Sequence, residues 1–317
     1  MGDDTAPRST YGGQAVIEGV MMRGTRAYSI AVRSPDQSIL VQTWPLGRLH
    51  RARWNRVPFL RGLLVLWDAL SLGIRSLTFS ANAQALKESE RIEGASLTLS
   101  LLGSLFVGAA GFLLLPVGAA HLLQNLLGLG SLTTNVVEGI LRLALLIGYI
   151  WSIGRVPEIR RVFSYHAAEH MTIHAFEAGE TLSAQAVARY PKEHPRCGTA
   201  FLLTVALLSV VLFTLLGPMS LGARLLTRLL AIPLLASLAY EYVRLTARLA
   251  DRWLGRILTW PNLALQRLTT RPPSPDMVEV AIRSFEALLN RERELRSDPE
   301  QPQASSASSA SASIQRR

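Results

Sequence analysis

The fold of this chain is decided by one uncharged stretch, residues 95–137, which reads ASLTLSLLGSLFVGAAGFLLLPVGAAHLLQNLLGLGSLTTNVV. These 43 residues contain no Asp, Glu, Lys or Arg, whereas a membrane-spanning helix needs only about 20 apolar residues. The stretch therefore predicts a first span at 97–120 and, after a Gly-rich break at 128–130, a second span at 133–153.

A second uncharged stretch, residues 197–223, predicts a third span at 199–216. The turn at Gly217-Pro218 leads into a fourth predicted span at 225–242. The composition agrees, because hydrophobic residues make up 49% of the chain and charged residues only 18%, against about a quarter charged in soluble domains. We therefore predict an α-helical integral membrane protein with about four transmembrane helices.

The basic residues predict how these spans are oriented. Residues 1–94 hold 12 Lys and Arg, residues 154–196 hold 6, and residues 244–317 hold 12. Since basic loops stay in the cytoplasm, we expect a multi-pass protein of the cell (inner) membrane with both termini cytoplasmic. The polar first ten residues predict no secretory signal peptide.

This placement of charge also predicts the partners. The net charge is +10, and most of the basic residues lie in the segments predicted to be cytoplasmic. We therefore expect the lipid bilayer and anionic headgroups as partners and no nucleic acid. A homo-oligomer is left open.

The remaining segments are predicted as extensions of the bundle. Alternating residues and a turn at 34–37 predict a small antiparallel β meander at 11–47. Helical spacing from Pro58 to Gln84 favours an amphipathic interfacial helix, with a core helix of a soluble domain as the alternative. The other predicted segments are a disordered N-terminus at 1–10, a basic segment and the interfacial helix within 48–94, transmembrane helices at 95–153 and 199–243, a cytoplasmic loop at 154–198, cytoplasmic helices at 244–297 and a disordered tail at 298–317.

The loop at 154–198 contains the residues that predict chemistry. The motif His166-x-x-Glu169-His170 places two imidazoles one helical turn apart, with a carboxylate between them in sequence. This is a zinc-site pattern in which the histidines are ligands and the glutamate is a general base. His166 and His174 are about 12 Å apart along a helix axis, which is too far for one ion to bind all three histidines.

Two further candidate ligands, His194 and Cys197, follow in the same loop, just before the third predicted span. Imidazole and thiolate are both good ligands for a divalent metal, most of all for Zn²⁺. We therefore predict a cytoplasm-facing metal site in which His166 and His170 are completed by His194 or Cys197. Glu169 would be the catalytic base and Glu177 a ligand or an outer partner, so that the protein would be a metal-dependent hydrolase.

Three other interpretations stay open. The His and Glu residues could form a polar network that ties the loop to the bundle. The protein could be a non-enzymatic membrane scaffold or regulator that binds a cytoplasmic partner. Glu138, Arg142 and Arg228 within the predicted spans could belong to a transporter component.

Three motifs are long and specific: residues 12–24, residues 165–170 together with Ile173 and Glu177, and residues 194–199, of which the three ranges read GGQAVIEGVMMRG, YHAAEH and HPRCGT. They resemble those of the bacterial YqhQ-like membrane proteins, a family of unknown function that has been described as predicted metal-dependent enzymes. The resemblance implies the same His, Glu and Cys residues as site residues, and it adds Gln14, Glu18 and Arg23. It implies no substrate.

Overall fold

The computed structural model describes residues 11–47, 57–85, 95–249 and 252–297. The two predicted disordered ends, at 1–10 and 298–317, and the basic segment at 48–56 lie outside these residues. Four strands come first: β1 (Gly12–Val16), β2 (Gly19–Arg23), β3 (Ala27–Arg33) and β4 (Ile39–Pro45). The helices follow: α1 (Leu60–Gln84), α2 (Ala95–Leu127), α3 (Ser131–Ile153), α4 (Pro157–Glu177), α5 (Ala184–Val187), α6 (Thr199–Thr214), α7 (Leu221–Leu230), α8 (Ile232–Arg248), α9 (Trp253–Thr269) and α10 (Pro275–Ser297).

The predicted β meander is confirmed as an antiparallel sheet with the strand order β1-β2-β3-β4. Successive side chains of a strand point to opposite faces, and those of β2 and β3 are buried on both faces. Val20, Met22 and Ala31 pack against α4 and α10, whereas Met21 and Ile30 pack against α1. The sheet therefore lies between helices on both faces.

The helix α10 packs on one face of the sheet. It lies within the segment 244–297 that was predicted to contain helices, and its apolar face joins the core beside β2 and β3. The carboxylate of Glu292 accepts the backbone N–H groups of Thr25 and Arg26 at 2.6 and 2.8 Å. These bonds satisfy donors in the β2–β3 turn and tie the end of α10 to the sheet.

The helix α1 has the length and composition of a membrane span, but one of its faces is engaged by the sheet. Leu72 is buried against the strands, and Gln84 donates to the carbonyl oxygen of Arg33 at 2.8 Å. The opposite face exposes apolar side chains, of which Trp67 is 65% exposed. The arrangement is that of an amphipathic helix packed on the protein.

In the described part of the chain, three helices are long and apolar enough to cross a membrane, and a bent pair raises this to four. The three are α1, the α2 region from Leu102 to Leu127, and α3; α7 and α8 form the pair, with a bend of 44°. Pro233 lies in the first turn of α8, and its missing N–H explains why the helix does not continue straight through 225–242.

Two other predicted spans differ from the structure in length. The helix α2 continues past the predicted end at residue 120 to Leu127, where Gly128 takes a left-handed φ of +64° and ends it. The helix α6 has only 16 residues, which is short for a perpendicular crossing of a bilayer.

Candidate metal centre

The candidate site is built on α4. The helix begins at Pro157, and Gly179 follows its end with a φ of +78°. The face that carries Glu169 and His170 is buried, with side-chain exposures of only 4% and 1%. A helix that buries ionisable groups needs specific partners for them.

Three side chains bring their ligand atoms together at this face, and we call them the donor group: His166, His170 and Cys197. One potential ligand atom from each lies within 4.8 Å of the others. The Nε2 atom of His166 is 3.1 Å from the sulfur of Cys197. Two imidazoles and a thiol thus converge from α4 and from the residues that precede α6.

Backbone carbonyls orient both imidazoles of the donor group. The Nδ1 atom of His166 lies 2.9 Å from the carbonyl oxygen of Thr269, and that of His170 lies 2.6 Å from the carbonyl oxygen of Lys192. Because a carbonyl oxygen can only accept, each ring donates from Nδ1 and keeps its lone pair on Nε2. This is the arrangement of histidines that bind a metal through Nε2.

The nitrogen of His170 that carries this lone pair is unsatisfied. Its Nε2 atom is buried and has no hydrogen-bond partner among the described residues. Burial lowers the pKa of His170, so the ring is neutral at neutral pH and able to act as a ligand. A buried acceptor without a donor is costly unless another group uses its lone pair.

The sulfur of Cys197 has neighbouring donors that favour the thiolate. Burial raises the pKa of the thiol, whereas the hydroxyl and the backbone N–H of Thr199 lower it. The hydroxyl of Thr199 lies 3.1 Å from the sulfur and its backbone nitrogen 3.4 Å. Since metals bind the thiolate, these donors favour the binding form.

Glu169 lies on the same helix, beside the donor group. Burial raises the pKa of its carboxyl to about 8, while His166 and the backbone N–H of Gly13 partly oppose the increase. One oxygen, Oε2, is buried without a hydrogen-bond partner among the residues described. A carboxyl group with a pKa near neutrality can exchange a proton with a reactant.

The other predicted ligands form a separate cluster, the second group: His174, Glu177 and His194. The Nδ1 atom of His194 accepts the backbone N–H of Arg196 at 3.2 Å, so its proton is on Nε2, which faces Glu177 at 3.8 Å. Burial raises the pKa of Glu177, but His194 and Arg196 outweigh this and bring it to about 2. A protonated Nε2 and a paired carboxylate are typical of a hydrogen-bond network.

The structure thus divides the predicted ligand set. Cys197 joins His166 and His170, whereas His194 and Glu177 lie with His174. The two groups adjoin, because the rings of His170 and His194 are 5.7 Å apart.

The three residues added by the resemblance contact α4 and α1 instead of the donor group. Glu18 pairs with Arg161 at 2.5 Å, Arg23 pairs with Asp68 at 2.7 Å, and Gln14 lies against Gly73.

The residues that orient the site were not among those predicted from the sequence. The amide of Gln266 bonds both backbone groups of His194, at 2.8 and 2.9 Å, and places the chain that leads to Cys197. The carbonyl groups of Lys192 and Thr269 give no sequence signal, because every residue has one. Thr199 had a signal, since it closes the motif that begins at His194.

A second buried polar cluster lies among the apolar helices, and we call it the bundle network: Asn135, Glu138, Arg142, Ser209 and Arg228. Glu138 accepts from Arg142, which lies one helical turn away, at 2.8 Å and from Arg228 at 3.1 and 3.2 Å. Arg142 also donates to Ser209 at 2.9 Å, and Arg228 to Asn135 at 3.1 Å. Each polar side chain of the network has a partner within it.

Comparison with known proteins places the chain among uncharacterised relatives. The model of a family described as "Protein of unknown function (DUF1385)" matches residues 57–291. A Bacillus subtilis (strain 168) protein, "Uncharacterized protein YqhQ", is 34% identical over 301 residues, which cover 89% of this chain and 93% of the relative. No solved structure matches.

Proposed function

Because this chain belongs to the DUF1385 family of proteins of unknown function, we propose its function from the site: an integral membrane protein with a divalent metal centre. The donor group would bind the ion, with Zn²⁺ as the first candidate, because two imidazoles and a thiolate are typical zinc ligands. The reaction class would be hydrolysis of a membrane-associated lipid or peptide.

The observation that carries the proposal is the orientation of the two imidazoles. Both Nδ1–H groups are held by backbone carbonyls, which leaves two Nε2 lone pairs directed toward one thiol. The buried, unpartnered Nε2 of His170 adds to this, since a cation would satisfy it. A network that merely tied the loop to the bundle would be expected to use that lone pair for a hydrogen bond.

The chemistry follows from the number of ligands. Three protein ligands leave one position of a tetrahedral ion open, and such an ion supplies Lewis acidity when bound. Glu169, which lies beside His166 and Cys197, would take a proton from the attacking water and return it to the leaving group. Thr199, with Thr269 and Lys192 through their carbonyls, would hold the ligands in position.

The membrane part of the proposal rests on composition. The long apolar helices and the basic residues of the segments 1–94, 154–196 and 244–317 support a multi-pass protein of the inner membrane. The donor group, with two members on α4 and one just before α6, would then face the cytoplasm, and both termini would lie on the same side.

Elemental analysis of the detergent-purified protein tests the metal centre. We expect stoichiometric metal in the wild type, none in His170→Ala, and wild-type metal in the matched variant His174→Ala from the second group. Circular dichroism and gel filtration show whether each variant is folded. Metal that is undiminished in a folded His170→Ala protein, or lost from His174→Ala instead, would contradict the proposed ligand set.

A further inference from the structure

A basic cavity of about 830 Å³ lies between the sheet, α1 and α8. Its wall is formed by strand ends, by the first half of α1 and by the last turns of α8. Six arginines line it: Arg23, Arg61, Arg75, Arg196, Arg244 and Arg248. Asp68 is the one acidic residue among the described residues of the lining.

Three of these arginines are neutralised by acidic partners. Arg23 pairs with Asp68. Arg61 pairs with Glu241. Arg196 pairs with Glu177. These pairs remove half of the positive charge of the lining.

The other three arginines form no salt bridge with an acid in the described ranges: Arg75, Arg244 and Arg248. Arg244 and Arg248 are one helical turn apart on α8, so their side chains share a face. An excess of cations around a concave space attracts anions and concentrates them there. The ligand that this part of the cavity fits is therefore negatively charged.

The remaining wall of the cavity is apolar. Leu64, Val65 and Trp67 contribute from α1, and Val243 and Ala247 from α8. Trp67 is 65% exposed, and tryptophan is favoured where a membrane meets water. Both helices are among those with the composition of membrane spans. A ligand with an apolar part would thus contact the same cavity that attracts its charge.

We propose that this cavity binds the phosphate headgroup of an anionic phospholipid. Arg244 and Arg248 bind the phosphate, and the acyl chains lie along α1 beside Trp67. An inorganic or soluble phosphate offers the same charge but leaves the apolar wall without a partner, so the lipid is the better fit. The site does not depend on the metal centre, because no member of the donor group lines it.

The test titrates the detergent-solubilised full chain with phosphatidylglycerol, with phosphatidylcholine and with inorganic phosphate, and native mass spectrometry measures the bound ligand. We expect phosphatidylglycerol to bind best. The double variant Arg244→Gln/Arg248→Gln should weaken that binding about 30-fold, from the usual contribution of a basic residue near a headgroup. The matched double variant Arg252→Gln/Arg256→Gln removes the same charge at the start of α9, outside the cavity, and should bind like the wild type.

A second variant tests the space in the cavity independently of its charge. Ala247→Trp fills the space without removing an arginine and should also weaken binding of phosphatidylglycerol, while the melting temperature without lipid shows that the variants are folded. Equal losses in the two double-arginine variants, equal binding of phosphatidylcholine, or undiminished binding by the folded Ala247→Trp protein would overturn the proposal. Inorganic phosphate that binds as tightly as the lipid would overturn the assignment to a lipid.

Discussion

The donor group and the bundle network are both buried polar clusters in a largely apolar helical protein, but they differ in how the hydrogen-bonding capacity of their polar atoms is satisfied. In the bundle network, Glu138 lies between Arg142 and Arg228, and the remaining donors reach Asn135 and Ser209. In the donor group, potential ligand atoms converge, and the Nε2 atom of His170 has no hydrogen-bond partner among the described residues. Burial alone therefore does not indicate a binding site, whereas converging ligand atoms with an unused lone pair do.

The largest effect is expected from removal of the acid at the centre of the bundle network. Glu138→Ala leaves two arginines without their buried counter-charge, and such a loss costs about 3–5 kcal/mol. Chemical denaturation in detergent should show this as a lower midpoint. Glu158→Ala, which removes an exposed acid from the first turn of α4, is the control and should change little.

The same variant tests whether the two clusters are independent. Glu138→Ala should retain metal to the extent that it remains folded, and a chelator should lower its stability as much as that of the wild type. Loss of metal from the folded variant would show that the comparison is wrong and that the clusters act as one.

An intermediate effect is expected beside the donor group. Thr199→Val removes the hydroxyl that lies 3.1 Å from the sulfur of Cys197, and loss of a group that supports a ligand weakens metal binding about 10–100-fold. Competition with a chromogenic chelator measures this change. Thr172→Val is the control, because that hydroxyl is buried on the same helix as the histidines but donates to its own helix, at Ala168. Unchanged affinity in Thr199→Val would remove Thr199 from the site.

The smallest effect is expected at the edge of the bundle network. Ser209→Ala removes one acceptor from Arg142, which keeps its bond to Glu138, so the expected loss is about 1 kcal/mol. Thermal or chemical unfolding in detergent measures it, and metal content should not change. A loss as large as that of Glu138→Ala would mean that the network is less redundant than its bonds indicate.

Much of the candidate site could be predicted from sequence because it depends on helical spacing. His166 and His170 are one turn apart on any helix, so their neighbourhood was predictable before the structure was known. The choice between Cys197 and His194 as their neighbour was not, since the two lie only three residues apart in a loop. Gln266, on α9, binds the backbone of His194. This long-range contact places the chain that leads to Cys197 in the donor group.

The helix α1 illustrates the same limit in the fold. Its composition is compatible both with a membrane span and with an amphipathic helix, and the sequence favoured the latter without excluding a soluble core. Only the contacts of Leu72 and Gln84 with the strands show that one face of α1 covers the sheet.

By itself, the sequence determined the elements that local rules govern: the meander, from its period of two; the long apolar helices, from their lack of charge; and the spacing of the histidines on α4. Tertiary structure alone decided which of these elements meet. It placed helices on both faces of the sheet, joined Cys197 to His166 and His170, and enclosed arginines from distant segments in one cavity. The physical reason is that hydrogen-bonding period and hydropathy act over a few residues, whereas the partner of a buried atom is set by packing between segments far apart in the chain.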